Sequence, residues 1–291
     1  MDFDAFVSQS WADHGDDAAG VAARLGTDTP PPATPAQLEA LIRLTTHVLG
    51  EHLGAFDDAR WRLSALAAHE HASAGVQSAL RASLAAIDLA DTGRASLAGF
   101  SDSETVRAFS SAGAICVGQG RSAAALDFIA AARRRLAQMP AATPADHRPL
   151  AANCHNMAWV LHDRGAARSS ADTAAMLDLA AASRAHWEKA GTWLEVERGE
   201  YDLARMHLAA GQLDTALRHA AQCLAACIAH DAPPYEIFFG HEALARVQHA
   251  RGDRAALAHH LGAAQDAFGR LADDDQGACR AALDAVLALV A

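Results

Sequence analysis

Gly211-Gln-Leu-Asp-Thr-Ala216-Leu217 sits between two Ala-rich amphipathic runs, roughly 193–210 and 213–230, and its reading decides the fold. Glycine supplies the left-handed backbone that closes one helix without a Cβ clash, and the small residues that follow let the next helix fold back closely. The same signature recurs as Gly120-Arg-Ser-Ala-Ala-Ala125-Leu126 and Gly252-Asp-Arg-Ala-Ala-Leu257-Ala258. Gly165 holds the equivalent place between two further runs, so the four turn glycines are spaced 45, 46 and 41 residues apart. Helix, glycine turn, helix, repeated along a chain, is the pattern of stacked helical hairpins.

Composition agrees. Apolar residues make up 51% of the 291, yet aromatics only 5%, and Ala with Leu, both strong helix formers, dominates. A sheet protein would need more β-branched and aromatic side chains. Working outward, paired helices are expected at roughly 36–50 with 55–72, 103–118 with 121–138, 148–164 with 170–190, 193–210 with 213–230, and 235–250 with 253–271. A further pair is expected within 74–100, and a last helix, about 276–290, should cap the stack. Residues 1–35 form an N-terminal segment of short helices, with Phe3, Phe6, Val7 and Trp11 on one face, ending in a Pro-rich linker. The repeats then divide into 36–139, a Pro-rich loop at 140–149, and 150–291.

The net charge of −11 opposes phosphate backbones, so nucleic acid is excluded as the expected partner. The one basic run, Arg133-Arg134-Arg135, reads as a solvated helix face. Five cysteines in helical, apolar patterns suggest no disulfide framework. An acidic N-terminus, unlike a signal peptide, and the lack of a long apolar run point to a cytoplasmic protein with no membrane span.

Small residues recur at fixed offsets around the turns: Ala204, Ala216 and Cys223 about Gly211; Gly113, Ala125 and Ala132 about Gly120; Ala245, Leu257 and Ala264 about Gly252. This pattern resembles the tetratricopeptide repeat, most strongly over 193–271, and the longer period resembles the sensor arrays of bacterial signalling proteins. Gly54-Ala-Phe56-Asp-Asp-Ala59-Arg-Trp61 is similar, although His47 stands where that family has a small residue. The resemblance implies an all-α right-handed solenoid with a concave groove, and a bare repeat array carries no catalytic chemistry or cofactor.

In that family the first helix of each hairpin faces the groove. Counting back from the turn glycines then places His155, Tyr201 and Glu242 at one level and Trp159, Arg205 and Arg246 at the next. His162 and His249 follow near the turn, while Arg198 and Phe239 lie farthest from it. Arg forks bind carboxylates and aromatics anchor apolar side chains, so this set suits an acidic or C-terminal segment of a protein partner. The alternative is that the arginines pair with Glu197, Glu200, Asp202 and Glu242 and only solvate the surface.

Two other classes are open. The apolar residues of the last helix, Leu283, Val286, Leu287, Leu289 and Val290, would suit self-association into a homo-oligomer. A metal-dependent enzyme would draw on His47, Glu51, His69 and His71, with His52 and Glu70 nearby, because His and carboxylate four apart share a helix face. Cys223 and Cys227, also four apart, read as core packing, and His259-His260 as a solvated pair. The leading expectation is a non-enzymatic adaptor or sensor without metal.

Overall fold

The computed structural model describes residues 2–290, which form fourteen α-helices with no strand among them. None of these helices is long and apolar enough to cross a membrane. The chain divides into two compact units, Met1–Val160 and Leu161–Ala291, with the boundary inside a helix rather than at the Pro-rich stretch.

Unit 1 holds α1 (Phe3–Asp13), α2 (Ala18–Thr27), α3 (Pro35–Thr45), α4 (Phe56–Leu66), α5 (Ala74–Thr92), α6 (Asp102–Gly118), α7 (Ser122–Gln138) and most of α8 (Pro144–Asp163). Phe3 and Phe6 of α1 bury against Val21 and Leu25 of α2 and Leu41 and Leu44 of α3, so the N-terminal segment covers the first hairpin. Trp11 leaves that buried face and is 37% exposed. Between α3 and α4 the backbone widens into a π-helical turn, Thr46–His52, instead of continuing as an α-helix. α5 packs on α6 and α6 on α7. At the second of these contacts Gly113 lets the helices approach until a Cβ there would stand 3.0 Å from Ile129 Cδ1.

Two expectations change here. The stretch 74–100 holds one helix, not a pair, because Gly93 turns left-handed at its end and too few residues remain before the Ser101 capping box opens α6. The expected loop at 140–149 is shorter: Thr143 donates its N–H and hydroxyl to Asp146 Oδ2 at 2.8 and 2.7 Å, Pro144 fills the first helical position, and α8 then runs through Pro149.

Unit 2 continues after a short 3-10 turn, Gly165–Ala167, with α9 (Ser170–Ala190), α10 (Trp193–Ala209), α11 (Leu213–Ala229), α12 (Pro234–Arg251), α13 (Arg254–Phe268) and α14 (Asp273–Leu287). Each helix from α9 to α13 packs on the next, and α14 covers α12 and α13. The turn glycines do what their spacing implies: Gly211 and Gly252 sit at φ 72° and 76°. Asp253 then caps α13 through the Ala256 amide, a contact worth about 1 kcal/mol. Ala204, Ala216, Ala220 and Ala243 form the thin seam between α10, α11 and α12. Bulk enters further along, where the fully buried Phe238 packs with Leu261, Phe268, Leu283 and Val286. Burying such a side chain contributes about 1.5–3 kcal/mol.

Candidate functional site

In unit 2 the register counted from the glycine turns converges. His162, Leu208 and His249, each three residues before a turn, line one cavity of about 260 Å³ with Arg205 and Arg246, each six before. Ala209, Ala250 and Leu289 complete its wall. Leu289 belongs to the segment following α14, so the residues after the cap helix close one side of the cavity.

The two guanidiniums are held by a carboxylate in the protein interior. Glu242 of α12 is 0% exposed. Its Oε2 accepts from the Tyr201 hydroxyl at 3.2 Å, and Arg246, one turn on, donates Nε–H to Oε1. Arg205 donates to the Tyr201 oxygen at 2.7 Å and lies 3.6 Å from Glu242 Oε1. Burial, and then the Glu242 charge, pushes the Tyr201 phenol well above its ordinary value, so it stays a neutral donor. Burial works to lower Arg205, but Tyr201 and Glu242 outweigh it and hold the guanidinium charged. One buried carboxylate thus holds two cations at the cavity, and Asp163, which pairs with His162 at 2.8 Å, adds its charge to the field at Arg205.

The remaining groove candidates are placed differently. Arg198 is tied to the buried Glu236 at 2.7 Å. Phe239 packs edge-on against Tyr201, with ring centres 5.6 Å apart, and also meets Tyr235 and Phe238, so the two aromatics form an inner wall. His155 and Trp159 belong to unit 1, where both are half-buried on α8. Glu200 pairs with Arg184 and His219, not with a groove arginine.

Glu197 turns to two thiols instead of an arginine. It is 2% exposed, and its Oε1 accepts from the Cys223 and Cys227 thiols at 2.8 and 3.4 Å, while Oε2 is buried without a partner. Burial raises its pKa against the thiol hydrogen bonds, with Glu236 adding to the rise. The Cys227 hydrogen bond, burial and Glu197 all push the Cys223 thiol up, so it is a neutral donor and no nucleophile.

A pH dependence follows. The folded chain keeps the Glu197 proton to higher pH than the unfolded chain, so this group costs stability as pH rises from the unfolded value near 4.5 through the folded one. Glu197→Gln removes that titration. Urea unfolding is expected to show equal stability near pH 4 and a more stable variant at about pH 8; a variant less stable at the higher pH contradicts the assignment.

In unit 1 the histidines regroup. His47 Nδ1 lies 3.0 Å from Glu51 Oε2, as their spacing implies. His69 and His71 do not join them; their rings pack on each other, 5.4 Å between centres. Their place is taken by His52 and by His14, the residue that ends α1, and the candidate ligand atoms of His14, His47 and His52 all lie within 4.8 Å of one another. Helical spacing conceals this, because residues five apart point about 140° away from each other on an α-helix. In unit 2, His259 is exposed and His260 half-buried, and both rings meet His241, whose pKa falls to about 4 through burial and then the two neighbouring charges.

No family model, curated protein or solved structure matches this chain.

Proposed function

We propose that the protein is a non-catalytic helical-repeat scaffold, a tetratricopeptide-like solenoid, that holds an acidic or C-terminal protein segment as an adaptor or sensor. The observation carrying this reading is the convergence of Arg205, Arg246, His162 and His249 on one cavity, at positions that repeat from hairpin to hairpin. Two guanidiniums that share one interior carboxylate stand side by side at the cavity wall, where an incoming carboxylate can accept from both, and Leu208 and Leu289 offer apolar contact beside them. The cavity suits one side chain or chain terminus, so recognition rests on a short segment.

Fluorescence anisotropy with an acidic peptide bearing a free C-terminal carboxylate tests this. The wild-type chain is expected to bind it, and to bind the amidated, neutralised peptide about tenfold or more weakly. His249 lines the cavity, is exposed and holds no part of the Glu242 network, so His249→Glu should weaken binding by a similar factor without changing helicity. Equal affinity of the folded variant and the wild type would remove the support for this site.

A further inference from the structure

The three histidines gathered in unit 1 have the geometry of a metal centre. His14 Nδ1 lies 2.6 Å from the Trp11 carbonyl oxygen, which only accepts, so Nδ1 carries the proton and Nε2 presents a lone pair. His47 donates its Nδ1 proton to the Glu51 carboxylate at 3.0 Å, which leaves its Nε2 in the same state. Ligating histidines are held in this way, with the second ring nitrogen donating to a carboxylate or backbone carbonyl.

The spacing of one pair of ring nitrogens fits an ion, and the His14 ligand atom lies within 4.8 Å of both. His52 Nε2 and His47 Nε2 are 3.1 Å apart. Two imidazoles bound at about 2.0–2.1 Å to one divalent ion stand roughly 2.8–3.4 Å from each other, the lower figure for octahedral and the upper for tetrahedral angles. The rings of all three pack within 4.7–5.0 Å, centre to centre, and Trp11 covers His14 and His47 at 5.2 and 5.0 Å.

The backbone is bent to make this possible. The π-helical turn Thr46–His52 closes hydrogen bonds five residues apart, as in Leu53 N–H to the Val48 carbonyl at 3.1 Å, and so brings residues 47 and 52 to one face. α6 holds the turn from outside: Gln119 Nε2 donates to the Gly50 and Glu51 carbonyls at 3.2 and 2.8 Å. His47, Glu51 and Trp11 also form part of the wall of a cavity of about 500 Å³. Across it lie Arg43, Arg107 and Arg148, and the Arg107 Nε is buried without a partner. A three-histidine site with space beside it keeps a coordination position for a ligand, and these cations select an anionic one.

We infer that His14, His47 and His52 bind one divalent transition-metal ion of the zinc type, oriented by Glu51, with an open position toward the cavity that takes a small carboxylate- or phosphate-bearing ligand. The site is independent of the peptide-binding reading and lies wholly within unit 1.

The test uses the full chain purified without a polyhistidine tag and titrated with Zn2+ by calorimetry and with Co2+ by visible absorption. One equivalent of each ion is expected, with Co2+ bands lacking thiolate charge transfer and shifting when inorganic phosphate is added. His52→Ala and His14→Ala, at partly exposed positions, should lose about 100-fold or more in affinity. Glu51→Gln should lose about 10–100-fold while keeping the stoichiometry, the mark of a positioning residue. His69→Ala and the Cys223→Ser/Cys227→Ser pair should bind as the wild type does. Absence of stoichiometric binding, or Zn2+ affinity unchanged in folded His52→Ala, overturns the site; bands unmoved by phosphate overturn the open position.

Discussion

Glu242→Ala is expected to destabilise unit 2 by about 3–5 kcal/mol, a loss large enough to unfold a marginal domain. The carboxylate is fully buried and is shared by Tyr201, Arg205 and Arg246. Deleting it leaves two guanidiniums in partial burial with their shared counter-charge gone, and the Tyr201 hydroxyl loses its acceptor. Stranded charge, rather than lost attraction, sets the size of the effect, so the double variant Glu242→Ala/Arg246→Ala should be destabilised by less than the sum of the single changes. Urea unfolding followed by circular dichroism reads both. A single variant that loses under about 1 kcal/mol would mean that water already solvates these cations.

Gly118→Ala is expected to cost unit 1 about 3 kcal/mol, although alanine is the better helix former by about 1 kcal/mol. A Cβ at this point of α6 would stand 2.3 Å from the Glu51 carbonyl oxygen and 2.9 Å from its carbon. Both are backbone atoms, so no side chain can swing aside, and either α6 or the π-helical turn must move. Because Glu51 and His52 lie on that turn, the same substitution should weaken Zn2+ binding as well. Thermal unfolding with and without the ion separates the two: a variant as stable as the wild type refutes the close approach. A variant destabilised yet binding Zn2+ normally refutes the coupling between helix contact and histidine geometry.

Much of the fold is legible in the sequence because its determinants are local. Gly120, Gly165, Gly211 and Gly252 all take the left-handed φ their spacing implies, and the small residues about them are buried where helices meet. The same count from the turns found the Arg205, Arg246, His162 and His249 cavity. It did not reveal that Tyr201 and Phe239 turn inward, since that depends on Glu242 and on the Phe238 cluster across the interior. The histidine site was half-legible. His47 and Glu51 share a helix face by spacing, but His52 reaches them only through a π-turn that no α-helical period contains, and His14 only through the packing of α1 on α3. Glu197, Cys223 and Cys227 likewise meet through a contact between α10 and α11 that fixes which thiols find the buried carboxylate.

The most direct test of the scaffold reading is a chemical-shift titration of the labelled protein with an acidic peptide carrying a free C-terminus. The expected result is saturable perturbation centred on His162, Leu208, Arg246 and His249, lost when the peptide carboxylates are neutralised. Perturbation confined to other surfaces, or none at peptide concentrations well above that of the protein, would contradict the assignment of this cavity as the binding groove.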